Sequence, residues 1–177
     1  MTVNDKCHRA WVSAAVQRLR DEGSWAGRIH VHKLLVVAQL LGLVRVPFRF
    51  ELYRYGPYSF ELDELIADME NFGFVSKEYA QPGYGPRLAL SSTGEEDLDS
   101  LSEHELAALS TVASEFGRRG SKELELLATS LWVMEEEGVS DKDAVRVRVQ
   151  ELKPHRSESD TARGVDEALS LRETLRR

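Results

Sequence analysis

Between Leu34 and Leu41 the chain reads Leu-Leu-Val-Val-Ala-Gln-Leu-Leu, which is apolar nearly all the way round a helix. A helix with no polar face belongs at the centre of a core. The run is too short to cross a bilayer, which takes roughly 20 apolar residues. The rest of the chain must therefore supply the shell around it. The helix is expected over about 28–41. Its first turns carry Arg28, His30, His32 and Lys33, so its beginning is expected to emerge at the surface.

The flanking sequence offers that shell. Asn4 or Asp5 can cap a helix running to about Glu22, with Trp11, Val12, Ala15, Val16 and Leu19 on one side and Gly23 as its stop. Phe48, Phe50 and Leu52 alternate with Arg49, Glu51 and Tyr53, a period-two pattern that predicts a short strand ended by Gly56-Pro57. Ser59 can cap a third helix over Phe60 to Asn71, with Leu62, Leu65, Ile66 and Met69 as its apolar stripe. Phe74 to Tyr79 and Arg87 to Leu90 read as two strands joined by Gln81-Pro82-Gly83-Tyr84-Gly85-Pro86. Beyond them the pattern is helical. Thr93 and Ser102 each open a capping box, in which the cap residue and a carboxylate three positions later satisfy one another's amides. Val145, Val147 and Val149 alternate as in a strand, but Val145, Val149 and Leu152 equally suit a helix from Ser140, and the helix is preferred. Pro154 ends it, and a last helix starts near Ser159.

The expected architecture is mainly α. Residues 1–98 form a winged-helix-like half with a β-hairpin wing, and residues 99–177 form a helical half packed on it. That layout suggests duplex DNA binding, with the third helix in the major groove. The charge pattern opposes it. The chain carries a net −7, unevenly spread. Residues 1–56 hold nine Lys/Arg against four Asp/Glu, a balance of +5. Residues 57–100 hold two against ten, a balance of −8. The would-be reading helix has five carboxylates between Glu61 and Glu70 and no Lys or Arg. DNA affinity rests on cations neutralising phosphates. If nucleic acid is bound, the basic residues Arg28, Lys33, Arg45, Arg49 and Arg54 are the better candidates.

A protein partner suits the residues more readily. Tyr53, Tyr55, Tyr58 and Phe60 cluster around Gly56-Pro57, and tyrosines beside arginines combine apolar area with a polar end. The same rings could instead pack under the turn as a structural corner. Tyr53, Tyr55, Tyr58, Glu61, Glu64 and Asp68 are the candidate protein-binding residues.

Other chemistries find little support. Cys7 is the only cysteine, so an internal disulfide is impossible; a small, partly buried apolar role is expected for it. His30 and His32 lie two apart, about 200° round a helix, and would not share a metal ion. No Gly-x-Ser-x-Gly, His-Glu-x-x-His or phosphate-cradling loop occurs. No catalytic residue, metal or cofactor is expected, and the chain reads as a non-enzyme. The N-terminus shows no basic segment followed by an apolar core, which makes the cytoplasm the expected address. A homodimer through the amphipathic tail from Ser159 to Arg177 is conceivable on the same pattern.

One resemblance adds to this. Lys33-Leu34-Leu35-Val36-Val37-Ala38-Gln39, followed by Phe50 to Leu62 through Tyr55-Gly56-Pro57-Tyr58-Ser59, resembles the YwgA-like group of uncharacterised prokaryotic proteins. It is more distantly similar to the Panacea domain, a SocA-like antitoxin module. Lys33 and Tyr55-Gly56-Pro57 are the matching positions. The resemblance implies a winged-helix-like fold and an antitoxin or adaptor that binds a partner protein, such as a toxin or regulatory target.

Overall fold

The computed structural model describes residues 5–79, 82–83, 85–116 and 119–176. Eight α-helices and two small hairpins follow one another among them. Helix α1 is Lys6–Asp21 and α2 is Arg28–Leu40. Strands β1 (Glu51–Tyr53) and β2 (Gly56–Tyr58) pair, then α3 (Phe60–Asn71) leads to β3 (Val75–Glu78) and β4 (Arg87–Leu90). Helix α4 (Ser92–Glu95) runs into a 3-10 turn at Glu96–Ser100. Helices α5 (Glu103–Phe116), α6 (Ser121–Glu135), α7 (Lys142–Leu152) and α8 (Glu158–Leu175) complete the chain. Both hairpins are antiparallel, with Tyr53 opposite Gly56 and Glu78 opposite Arg87 closing their turns.

Helix α2 is central, as its apolar circumference requires. It packs against α1, α3, α5, α6 and β2, and Val31, Leu34, Leu35, Val36, Val37 and Ala38 are wholly buried. One apolar cluster runs from Trp11 on α1 through α2 and α6 to Leu171 on α8. Helix α1 is fixed by a buried ion pair as well as by packing. The Arg9 guanidinium donates to both carboxylate oxygens of Asp97, at 2.8 and 2.9 Å, and lies 4.3 Å from the centre of the Phe74 ring.

The local signals held where they were strongest. Asp5 caps α1 and Ser59 caps α3; Asn4 lies outside the described residues, as do Gln81 and Tyr84 of the second turn. Ser102 and Glu105 form a reciprocal capping box. Residues 142–152 are helical, with Asp141 as cap, Val145 and Val149 inside and Val147 outside.

Four expectations need correction. Gly56-Pro57 does not end a lone strand: it opens β2, and the turn is Arg54-Tyr55. Thr93 is not a cap, because Ser91 accepts from the Gly94 amide in its place. Cys7 is exposed, on the outer face of the first turn of α1. The start of α2 emerges only at its first two residues, half-buried Arg28 and exposed Ile29, whereas His30, His32 and Lys33 are all buried. They are covered by the β1–β2 hairpin and by the α5–α6 connection, two segments distant in sequence.

Candidate functional site

The site is built on the β1–β2 turn and the two lysines that hold it. Lys33, one turn into α2, is only 1% exposed. Its Nζ donates to the Pro57 carbonyl oxygen at 2.8 Å. Lys153, just past the end of α7 and also buried, donates from Nζ to the Arg54 carbonyl oxygen at 2.8 Å. A buried carbonyl must find a donor, and here both carbonyls of one turn find lysines. Gly56, between them, has φ +83°, a left-handed value that glycine adopts without strain. A Cβ there would lie 2.7 Å from Thr129 Oγ1 and 3.3 Å from the Glu125 carbonyl oxygen, so the turn sits directly against α6.

Charge under the turn is only partly balanced. Glu125 lies 3.0 Å from Lys153 Nζ and 2.5 Å from an Arg156 nitrogen. Burial works to raise its pKa, but Arg156 and Lys153 more than offset that and hold it below the usual carboxylate range. Among the described residues Lys33 has no carboxylate in contact. Burial, and then the nearby Lys153 charge, push its pKa from 10.5 down to about 7, with Glu125 opposing.

Above the clamp sits the aromatic corner. The Tyr58 ring stacks flat on His32, centroids 4.3 Å apart. Tyr53 and Phe60 meet it at 6.0 and 5.2 Å and meet each other edge-on at 5.3 Å. Such pairs add roughly 0.5–1.5 kcal/mol beyond their area. The rings divide the two roles that the sequence leaves open. Tyr58 packs inward, whereas Tyr53, Tyr55 and Phe60 remain about half exposed. Burial drives the His32 pKa down, and the Ser59 amide donates to its Nδ1. Asp63 stands at the junction. His32 at 3.8 Å and Arg28 at 2.9 Å, with the Tyr58 hydroxyl, hold it at about 2 against its burial. Tyr58 is raised to about 12, by burial and by the Asp63 charge.

The carboxylates of α3 fall into two sets. Asp63 and Glu70 bind Arg28, and Glu70 also binds Lys77. Glu61, Glu64 and Asp68 have no ion pair among the described residues. Spaced three and four apart, they share one stripe of the helix. Glu61 and Glu64 are exposed and Asp68 is half-buried, and Phe72, also exposed, ends the stripe. The six candidate protein-binding residues therefore lie on the β1–β2 hairpin and on α3, the next element in the chain. The basic candidates do not form one set. Arg28 is engaged by α3 and Lys33 is buried under the turn, which leaves Arg45, Arg49 and Arg54 exposed.

Sequence reading missed Lys153, Glu125 and Thr129. Each lies some 70 to 100 positions from the turn it supports, and no periodicity connects such residues. Among the described residues no cluster of His, Cys, Asp and Glu could hold a metal ion, and no helix is long and apolar enough to cross a membrane.

Fold and site together define a mainly helical protein that presents an aromatic, acid-flanked corner on a lysine-clamped hairpin. The chain is similar to the uncharacterized protein YwgA of Bacillus subtilis (strain 168), with 28% identity over 160 residues, spanning 88% of this chain and 90% of that one. No protein-family model matches it.

Proposed function

We propose that this chain is a non-enzymatic protein-interaction module, an antitoxin-like or regulatory adaptor of a YwgA-like family with a winged-helix-like N-terminal half. Its partner seats on the aromatic corner and the outer stripe of α3. The observation that carries this is the division of the α3 carboxylates. Asp63 and Glu70 are consumed by internal cations, while exposed Glu61 and Glu64 and half-buried Asp68 have no ion pair among the described residues and lie beside exposed Tyr53, Phe60 and Phe72. Exposed rings next to uncompensated charge make a surface that a basic protein face complements.

The test is affinity purification of the tagged chain from its own cells, run beside two variants: Glu61→Lys/Glu64→Lys/Asp68→Lys and Tyr53→Ala/Phe60→Ala. A stoichiometric protein captured by the parent and lost by both variants is expected. The same capture by all three, or no stoichiometric protein at all, overturns the reading.

A second reading, a winged-helix regulator that binds duplex DNA, is favoured by the exposed Arg45, Arg49 and Arg54. A titration on duplex DNA separates the two. Binding that weakens steeply with salt supports DNA, and no binding at low salt excludes it.

A further inference from the structure

Two helices begin at one cavity of about 740 Å³. Gly27, Arg28 and Ile29 bring the start of α2 to its wall, and Gly120 and Ser121 bring the start of α6. The first amides of a helix have no partner within it and point out of its end, which carries a partial positive charge. In α2 the first amide with a backbone partner is that of Val31, which donates to the Gly27 carbonyl at 3.0 Å. Gly27 has no side chain to cap the amides of Arg28, Ile29 and His30. At α6 the Glu123 carboxylate takes the Gly120 amide at 2.9 Å, and the Ser121 amide has no partner among the described residues.

The acceptors of the lining are already engaged. The Gly85 carbonyl takes the Trp25 Nε1 hydrogen at 3.1 Å, and the Arg119 carbonyl faces His30 Nε2 at 3.4 Å. No Asp or Glu stands among the described residues of the lining, in a chain of net charge −7. The side chain of Arg28 is held by Asp63 and Glu70 and that of Arg119 by Glu167, so the attraction for an anion comes from the two helix ends.

His30 adds a polar group of a different kind. It lines the cavity and is only 5% exposed. A carbonyl only accepts, so Nε2 carries the ring hydrogen. Nδ1 has no partner among the described residues and, unlike Nε2 of His32, is not shielded from solvent. Burial holds the ring neutral by lowering its pKa, which leaves Nδ1 a bare acceptor. An anion suits this set if it brings a hydrogen of its own. A phosphate monoester, with its second pKa at about 6, does so; a carboxylate, at about 4, does not.

We infer that this cavity binds a small phosphate monoester whose organic part is flat or apolar. The amides of α2 and of Ser121 donate to the ionised oxygens, as helix starts do for phosphate elsewhere. The remaining P–OH donates to His30 Nδ1. The organic part covers Trp25, Ile29 and Pro86, the apolar side of the same lining. The volume falls within the roughly 300–1,000 Å³ of small-molecule sites. This site is independent of the protein-interaction reading of α3.

The test titrates phenyl phosphate, inorganic phosphate and benzoate into the full chain at about pH 6, near the second phosphate pKa. Binding is followed by the amide chemical shifts of Arg28, Ile29, His30 and Ser121. Phenyl phosphate is expected to give saturable shifts there, with inorganic phosphate and benzoate each about tenfold weaker or more. His30→Phe should weaken phenyl phosphate about tenfold, the loss of one hydrogen bond to a charged group. Ile29→Glu should abolish binding. It places a carboxylate at the cavity wall, and an acidic residue in the first turn favours the helix, so the fold is spared. Equal binding of benzoate or inorganic phosphate, unchanged binding in either variant, or no saturable shift at these amides overturns the inference.

Discussion

Lys33 Nζ donates to the Pro57 carbonyl oxygen at 2.8 Å. The bond joins a helix and a turn that lie 24 positions apart in sequence and that the sequence resemblance pairs only by their order. It changes what the pattern means. A lysine at the start of α2, with Tyr-Gly-Pro after a strand, is a description of a clamp rather than of a surface. The same bond removes Lys33 from any role in contacting phosphate.

The first prediction concerns pH. Lys33 titrates near 10.5 when unfolded and near 7 when folded. Between those values the unfolded chain binds more protons, so stability rises with pH. The full penalty for burying the ammonium is present below about pH 7 and fades on the way up. Complete relief amounts to about 5 kcal/mol, at roughly 1.4 kcal/mol per pH unit. Tyr58 acts in the opposite sense, but only above pH 10, where the unfolded phenol ionises first. Urea denaturation of the parent between pH 7 and 9.5 should therefore show stability climbing. Lys33→Met should flatten that climb, even though it leaves the Pro57 carbonyl without its donor. An unchanged slope in the variant would mean that Lys33 is not the titrating group.

The second concerns the close approach at Gly56. Both Gly56 and Gly138 have left-handed φ values, +83° and +70°. A Cβ at Gly138 meets nothing within 4 Å, whereas at Gly56 it meets Thr129 and the Glu125 backbone. Gly138→Ala should cost about 1–2 kcal/mol, the backbone penalty alone. Gly56→Ala should cost clearly more, about 3 kcal/mol or above, as the turn is forced off α6. The two midpoints in denaturant, compared at equal slope, give the difference.

Much of this structure could be read from one dimension. The helix boundaries of α1, α3 and α7, the second hairpin and the central place of α2 follow from periodicity, caps and glycine stops. These are local causes. The surroundings of His30, His32 and Lys33 do not follow, because the segments covering them come from residues 57–59 and 119. A window around α2 shows two histidines and a lysine, which by themselves belong at a surface. The candidate site divides in the same way. Tyr53, Phe60 and the α3 carboxylates were visible as a cluster, but the split between paired and unpaired carboxylates depends on Arg28 and Lys77, which reach α3 from α2 and β3.

The third prediction isolates the Arg9–Asp97 pair, whose side chains are 10% and 2% exposed. Arg9→Met leaves the Asp97 carboxylate buried without its principal cation, and should cost about 3–5 kcal/mol. Arg9→Met/Asp97→Leu removes both charges and should recover most of that loss, since a buried pair is often no better than apolar residues of similar volume. Thermal denaturation of both variants and of Asp97→Leu completes the cycle. Equal losses in the single and double variants would assign the effect to the Arg9–Phe74 contact instead.

The Lys153 bond to Arg54 has a further meaning for how such a chain can be inherited. Every residue of the Lys33 and Tyr55-Gly56-Pro57 pattern lies within the first third of the sequence, yet the turn is also held by α6 and by a lysine at the end of α7. A gene that kept only the first ninety-odd codons would preserve the signature and lose half of its support. Fusion, splitting or exchange of modules therefore has no neutral breakpoint between the hairpin and Lys153, and the two halves are bound to change together.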